Sequence, residues 1–292
     1  MDAIVIAGGT PSEGDPLFPF TQGKPKAMLE ICAKPMIQWV LDALEQAETI
    51  ERIAIIGLDP KDIEGKITGL RTNGPDPSGI VSHAPQDKPS KLKLVIPDQG
   101  EMLQNIRTGV TRMLALDKAE PADPQAIHSA GQAGHMLIVS ADIPSILPEQ
   151  VDWVVRTAMQ TDKDVYYNVV KQEVMEKRFP GSNRSYVHLK DMDVCGGDMN
   201  VIRSSLVASS EALWEEIIAS RKNALKQAAL IGYDTLLLLL LRLINLENAV
   251  KKVTKRLKLT AEVLVSPYAE VAMDVDKPHQ LEIMRADLCK RA

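Results

Sequence analysis

Short β-branched runs alternate with helical patterns through the first half of the chain. The runs at residues 3–7, 52–57, 92–96 and 136–140 predict strands, while 36–47 and 102–116 predict helices. In PMIQWVLDALEQA the apolar residues Met36, Ile37, Val40, Leu41 and Leu44 recur at helical spacing, with Pro35 pre-set for the first turn. Strands alternating with helices imply crossover units and a mostly parallel sheet with helices packed on it.

The loops between them, residues 70–90 and 117–134, are rich in Gly, Pro, Asp and Ser or carry helix-breaking prolines. A helix is expected at 148–159 and a strand at 165–170. A basic polar segment, MEKRFPGSNRSYVHLKD, and a turn-rich one, VCGGDMNVI, follow. Residues 211–257 are wholly helical in pattern, which reads as a helical insertion within a single domain spanning 1–292. Strands at 261–265 and 271–275 and a helix opened by Pro278 close the chain. The expected fold is a three-layer α/β sandwich around a mixed, mostly parallel sheet.

Composition narrows the partners. With 34 basic and 39 acidic residues the 292-residue chain carries a net charge of −5, so no global field draws it to nucleic acid or to an anionic membrane surface, and a small-molecule partner is expected. Cys32, Cys195 and Cys289 are odd in number and lack metal-ligand spacing, and MDAIVIAGG has no basic leader or cleavage site. A reducing cytoplasm is the expectation. The run TLLLLLLRLINL is too short to span a bilayer and is broken by Arg242. It reads as a buried core or homodimer helix, and its basic flanks leave membrane-surface association as the alternative.

The loop AGGTPSEGDPLFPFTQGKPKAML raises the chemical question. Gly9 and Gly14 are spaced as in a P-loop, yet Asp15 and Pro16 stand where the lysine and hydroxyl residue belong, and no G-x-G-x-x-G is present. What remains is Gly8 and Gly9 at the carboxyl end of the first strand, where open α/β sheets bind ligands, and Lys26 as a point charge for phosphate.

The stretch AIVIAGG, KPKAMLEI, AKPMIQWVLDAL resembles the amino-terminal signature of the nucleoside triphosphate transferase family, the sugar-phosphate and molybdenum-cofactor nucleotidyltransferases. The resemblance implies the nucleotide-diphospho-sugar transferase fold, with Ala7, Gly8, Gly9, Thr10 and Lys26 around a triphosphate. The loop arginine of that signature is absent, Pro11 standing after Thr10. Three further stations follow from the same resemblance. PDQGEMLQNIRTGV offers Asp98, Gln99, Gly100 and Asn105 to the base. Asp142, ending MLIVSADIP, looks like the metal-binding aspartate. Asp276 in MDVDKPHQL matches the family's last carboxylate, with Asp274 two residues earlier on the same face if the strand runs on. A strand-end carboxylate suits Mg²⁺, which keeps waters and takes substrate phosphates. Read singly, Asp142 is equally a turn former and Asp276 a helix cap.

On the acceptor side, CGGDMNVI resembles the segment beneath the acceptor, making Gly196, Gly197, Asp198 and Asn200 candidates. Lys177, Arg178 and Arg184 could pair with an acceptor phosphate or carboxylate, or form a solvated basic loop. The expected activity is Mg²⁺-dependent transfer of a nucleoside monophosphate from its triphosphate to a small, phosphorylated acceptor, releasing pyrophosphate, with Lys26, Asp142 and Asp276 catalytic. The rival readings are a nucleotide-sugar glycosyltransferase, which lacks its Asp-x-Asp here, and a nucleotide-binding regulator without turnover.

Overall fold

A computed structural model of the chain describes residues 1–68, 70–71, 82–83, 90–119, 134–209 and 233–291. At its centre lie four parallel strands: β1 Asp2–Ile6, β2 Ile53–Ile56, β3 Leu92–Ile96 and β4 His135–Ser140. Their spatial order is β4-β1-β2-β3, with Ile4 opposite Ala54 on one side and Ile138 on the other. The chain steps outward from β1 to β3 and then returns to the far side of β1. The reversal leaves a crevice at the carboxyl ends of β1 and β4, where a ligand meets loops diverging in opposite directions.

Both faces of this sheet are covered, and the strand period sorts the side chains. Ala3, Val5, Ile53, Ile55, Leu137 and Val139 join the larger core with helix α1, Met36–Gln46. Ile4, Ala54, Ile56 and Met136 face helix α2, Met102–Ala119, whose Ile106, Val110 and Met113 they meet. Burying a side chain of this size is worth roughly 1.5–3 kcal/mol. At Gly109 a β-carbon would lie 2.9 Å from Ile4 Cγ2, so glycine lets α2 seat closely on β1.

The second half of the sheet is mixed. Strand β5, Val165–Lys171, has β9, Ala261–Ser266, parallel along one edge. Along its other edge run β7, Asp193–Gly196, and β8, Met199–Arg203, both antiparallel; β6, Val187–His188, pairs with β7, and β8 joins this half to β4. Gly196 stands opposite Val169 and Val201 opposite Tyr166, so the intervening chain holds two more residues than its partner. Gly197 and Asp198 absorb them as a bulge, which turns Asp198 out of the ladder.

Four further helices matter below: α3, Pro148–Ala158; α4, Gln172–Arg178; α5, Tyr233–Leu240; and α6, Leu246–Leu257. The last, α7, is Pro278–Leu288.

The structure departs from the sequence pattern in several places. Residues 271–275 form no strand: a 3-10 turn at Ala269–Ala272 leads into an extended segment that crosses the strand ends. Its bonds are isolated ones, Asp198 N to Val271 O and Val275 N to Asp142 O, so no ladder can build. VCGGDMNVI is not a run of turns but β7 and β8 around their bulge. The basic segment begins in the last turn of α4, whose Met175 is fully buried. Much of the first expected loop, residues 120–133 of the second, and residues 211–232 of the expected insertion lie outside the described residues; short strands Leu70–Arg71 and Ser82–His83 pair in the first. Cys32 and Cys289, 257 positions apart, form a disulfide with their α-carbons 5.5 Å apart, against the expectation drawn from cysteine number. Pairing across that separation leaves no trace in spacing.

Candidate active site

The crevice is assembled from four strand ends. After β1, Ala7, Gly8 and Gly9 turn over the sheet, with Gly9 at φ +120°. After β2, Gly57 adopts φ +110°, and a β-carbon there would fall 2.1 Å from Gly8 N. Only glycine permits that approach. Sequence reading missed Gly57, although a lone glycine closing the buried run Ile53–Ile56 was its signal. After β3, the Asn105 side chain staples the loop: Asn105 Oδ1 accepts from Gln99 N at 2.8 Å and Nδ2 donates to Asp98 Oδ1 at 2.7 Å. The Gln99 amide donates to Pro97 O at 2.7 Å. Asp98 and Asn105 crowd Gly8 so closely that a β-carbon would stand 3.1 and 3.0 Å from them. The cleft so framed holds about 330 Å³ and is lined by Ala7, Gly8, Gly9, Lys26, Asp98, Gly100, Asn105 and Asp142. Thr10 is exposed beyond its rim, and Gln99 does not line it.

Lys26 closes one wall. Pro25 precedes a single 3-10 turn, Lys26–Met28, in which Ala27 and the following Leu29 are buried, and Lys26 N donates to Gly9 O at 3.0 Å. Anchored on both sides, the lysine projects into the cleft. Its Nζ donates to Asp142 Oδ2 at 2.5 Å and to Asp276 Oδ1 at 2.6 Å. Burial alone would lower its pKa, but the two carboxylates, by charge and hydrogen bond, raise it above the ordinary lysine value.

Each carboxylate is held in turn. Asp142 Oδ1 accepts from Ser140 Oγ at 2.5 Å, and its carbonyl receives Val275 N, tying the carboxyl-terminal segment to the end of β4. Asp276 does not cap α7. That role falls to Gln280, whose Oε1 accepts from both Asp276 N and Lys277 N at 2.9 Å, leaving the Asp276 carboxylate for Lys26.

Asp198 stands beside this trio on the β7–β8 bulge. Its Oδ2 is shut off from solvent without a hydrogen-bond partner, although the side chain as a whole is about a third exposed; the nearest cation, Arg184 Nη2, is 3.8 Å away. Burial and the charge of Asp142 push the Asp198 carboxyl up to about 7, with Arg184 pulling the other way. Such a group exchanges a proton near neutrality.

The other acceptor-side candidates are distributed differently. Asn200 braces the bulge, accepting from Asn168 N at 2.8 Å and donating to Gly197 O at 3.0 Å. Gly197 and Gly196 sit where a β-carbon would meet Asn168 and the Tyr167 hydroxyl. Arg184 is mostly buried between Asp274, which it pairs with directly, and Asp198. Asp274 therefore faces Arg184 while Asp276 faces Lys26, because the segment carrying them is not a strand and does not keep both on one face. Arg178 binds Glu270 and Asp287, each at 2.8 Å, and stacks over Phe179, so its guanidinium ties α4 to the carboxyl-terminal elements rather than opening to the cleft. Lys24 is exposed. Cys195 is buried, and burial pushes its thiol pKa up, which leaves it unreactive.

This geometry can be set against known proteins. A family model described as the MobA-like NTP transferase domain matches residues 3–257. The chain belongs to that family. Among solved structures it is similar to a hypothetical transferase from Thermus thermophilus, with 28% identity, TM-score 0.69, and 96% of this chain and 98% of that one covered. It shares its fold with 4-diphosphocytidyl-2C-methyl-D-erythritol synthase from Anaerococcus prevotii at 12% identity and TM-score 0.54, over 99% and 95% of the two chains. The fold recurs in CMP:2-keto-3-deoxy-manno-octonic acid synthetase complexed with CTP, at 14% identity and TM-score 0.52, over 100% and 99%. No curated protein matches. This MobA-like chain is thus a nucleotidyltransferase with a nucleotide-diphospho-sugar transferase-like sheet. Among its described residues no helix is long and apolar enough to cross a membrane.

Among the described residues no group of three or more His, Cys, Asp or Glu side chains converges as a metal cluster. Asp142 and Asp276 nevertheless hold a single ammonium between them within 2.6 Å. Two carboxylates focused on one cationic centre suit a hard cation that draws its remaining ligands from water and phosphate.

Proposed function

We propose that the protein transfers a nucleoside monophosphate from a nucleoside triphosphate to a small, phosphorylated acceptor and releases pyrophosphate. The observation that carries this reading is the convergence of Lys26, Asp142 and Asp276, the first two of which line the glycine-framed cleft. An acceptor oxygen attacks the α-phosphorus in line, and the bond from that phosphorus to the bridging oxygen of pyrophosphate breaks. No protein nucleophile is required.

Asp142 and Asp276 would hold Mg²⁺, which when bound supplies Lewis-acid stabilisation of phosphate charge. Lys26 then pairs with phosphate oxygens, and the Gly8 and Gly9 backbone gives the departing diphosphate a close approach without side chains. Asp98, Gly100 and Asn105 line the part of the cleft assigned to the base, and the Asn105 staple holds that loop still. The unpartnered Asp198 oxygen and the buried Arg184 Nε, also unpartnered, support an acceptor placed by the bulge, where Asp198 can take up a proton from an attacking hydroxyl.

The test is pyrophosphate release with each of the four triphosphates, Mg²⁺ and a panel of sugar, polyol and pterin phosphates. Acceptor-dependent release that Lys26→Ala abolishes bears the proposal out. Absence of triphosphate binding, or turnover unaffected by Lys26→Ala and Asp142→Ala, overturns it.

A further inference from the structure

Helices α5 and α6, joined by a turn, rest on β6 and β9 respectively, and Leu238, Leu239, Ile244, Leu246 and Ala249 cluster with Val169, Leu189 and Val194. The junction between them does the opposite. Leu237, Leu240, Leu241 and Leu243 are 55%, 81%, 54% and 60% exposed, a run of large apolar side chains facing water. Single exposed leucines are ordinary, whereas four at one turn mark a surface that something covers.

Beside the junction lies a groove of about 320 Å³ with Leu238, Leu243 and Ile244 on its floor and Lys251, Lys252 and Lys255 along its rim. From Thr235 to Lys258 the sequence holds six cations, Arg242, Lys251, Lys252, Lys255, Arg256 and Lys258, and one acid, Glu247. This local excess stands on a chain whose net charge is −5, so it is not a by-product of composition. We propose that the α5–α6 junction is a docking surface for an anionic phospholipid bilayer, with the leucines entering the acyl boundary and the lysines at the phosphates. This surface lies apart from the catalytic cleft, whatever reaction takes place there.

Charge chooses the occupant. A second copy meeting the same patch by two-fold symmetry would bring like charges together, and a soluble anion would give the four leucines nothing to cover them. A bilayer with anionic headgroups satisfies both features in one layer, and the short helices lie on it rather than cross it.

Flotation of the full-length protein with phosphatidylcholine vesicles, with and without phosphatidylglycerol, tests this at low and high salt. Association is expected with the anionic vesicles and is weakened by salt. It falls about tenfold in Leu240→Ser/Leu243→Ser and about tenfold in Lys251→Glu/Lys255→Glu. Both variants should keep the wild-type melting temperature and its shift with triphosphate, which shows that they fold. Equal behaviour with both vesicle types, a loss confined to the lysine variant, or a leucine-dependent dimer without vesicle binding each overturns the proposal.

Discussion

Gly57 packs against the backbone of Gly8 with no room for a side chain, since a β-carbon at position 57 would lie 2.1 Å from Gly8 N. The end of β2 therefore sets the height at which the phosphate-side loop leaves β1. Gly57→Ala must push that loop off its course and also holds φ at +110°, where alanine is strained. The variant should lose about 1–3 kcal/mol in denaturant unfolding and bind triphosphate at least about tenfold more weakly by calorimetry.

Lys26 lies between two carboxylates that repel each other without it. Lys26→Ala should cut acceptor-dependent pyrophosphate release by a factor on the order of 10²–10³, as removal of a preorganised charge does. Asp142→Asn should match it; Mg²⁺ should raise the melting temperature of the wild type and leave that of Asp142→Asn unchanged.

Asp198 gives the free protein a pH signature. Its carboxyl is pushed up to about 7 in the folded state from 3.8 for a free aspartate, so between those values the folded state binds more protons than the unfolded one. Stability from this group is therefore greatest below pH 4 and declines as pH rises towards 7. Asp198→Asn should flatten that decline in chemical denaturation measured without divalent cations.

Arg178 has structural partners. Arg178→Ala leaves Glu270, whose side chain is 9% exposed, without its cation and leaves Asp287 with Arg291 alone. A loss of about 1–3 kcal/mol is expected. KM for the acceptor should stay unchanged, and a selective rise in KM would instead assign the residue to the acceptor.

The Cys32–Cys289 bridge joins the hairpin that follows Lys26, strands Glu30–Ile31 and Lys34–Pro35, to the end of α7, which follows Asp276. Reduction, or Cys32→Ser, should lower stability by about 2–5 kcal/mol, since the link closes nearly the whole chain in the unfolded state. Calorimetry with and without reductant measures it.

Local pattern was enough to read the strands of the parallel half and helices α1, α2, α3 and α7, because strand and helix periods are written over a few neighbouring positions; Lys26, Asp142 and Asp276 were singled out by resemblance to a family signature, since each read singly has an ordinary structural use. What lay beyond it is contact between distant segments. That Lys26 meets Asp142 and Asp276 depends on the switch point between β1 and β4 and on a carboxyl-terminal segment laid across the strand ends. That Asp198 points inward depends on two extra residues in one strand, a count visible only against its partner. Arg178 and Asp274, chosen for their charge, find their counter-ions at Glu270, Asp287 and Arg184. A charge states what a residue can bind, and only the packing decides which oppositely charged group reaches it first.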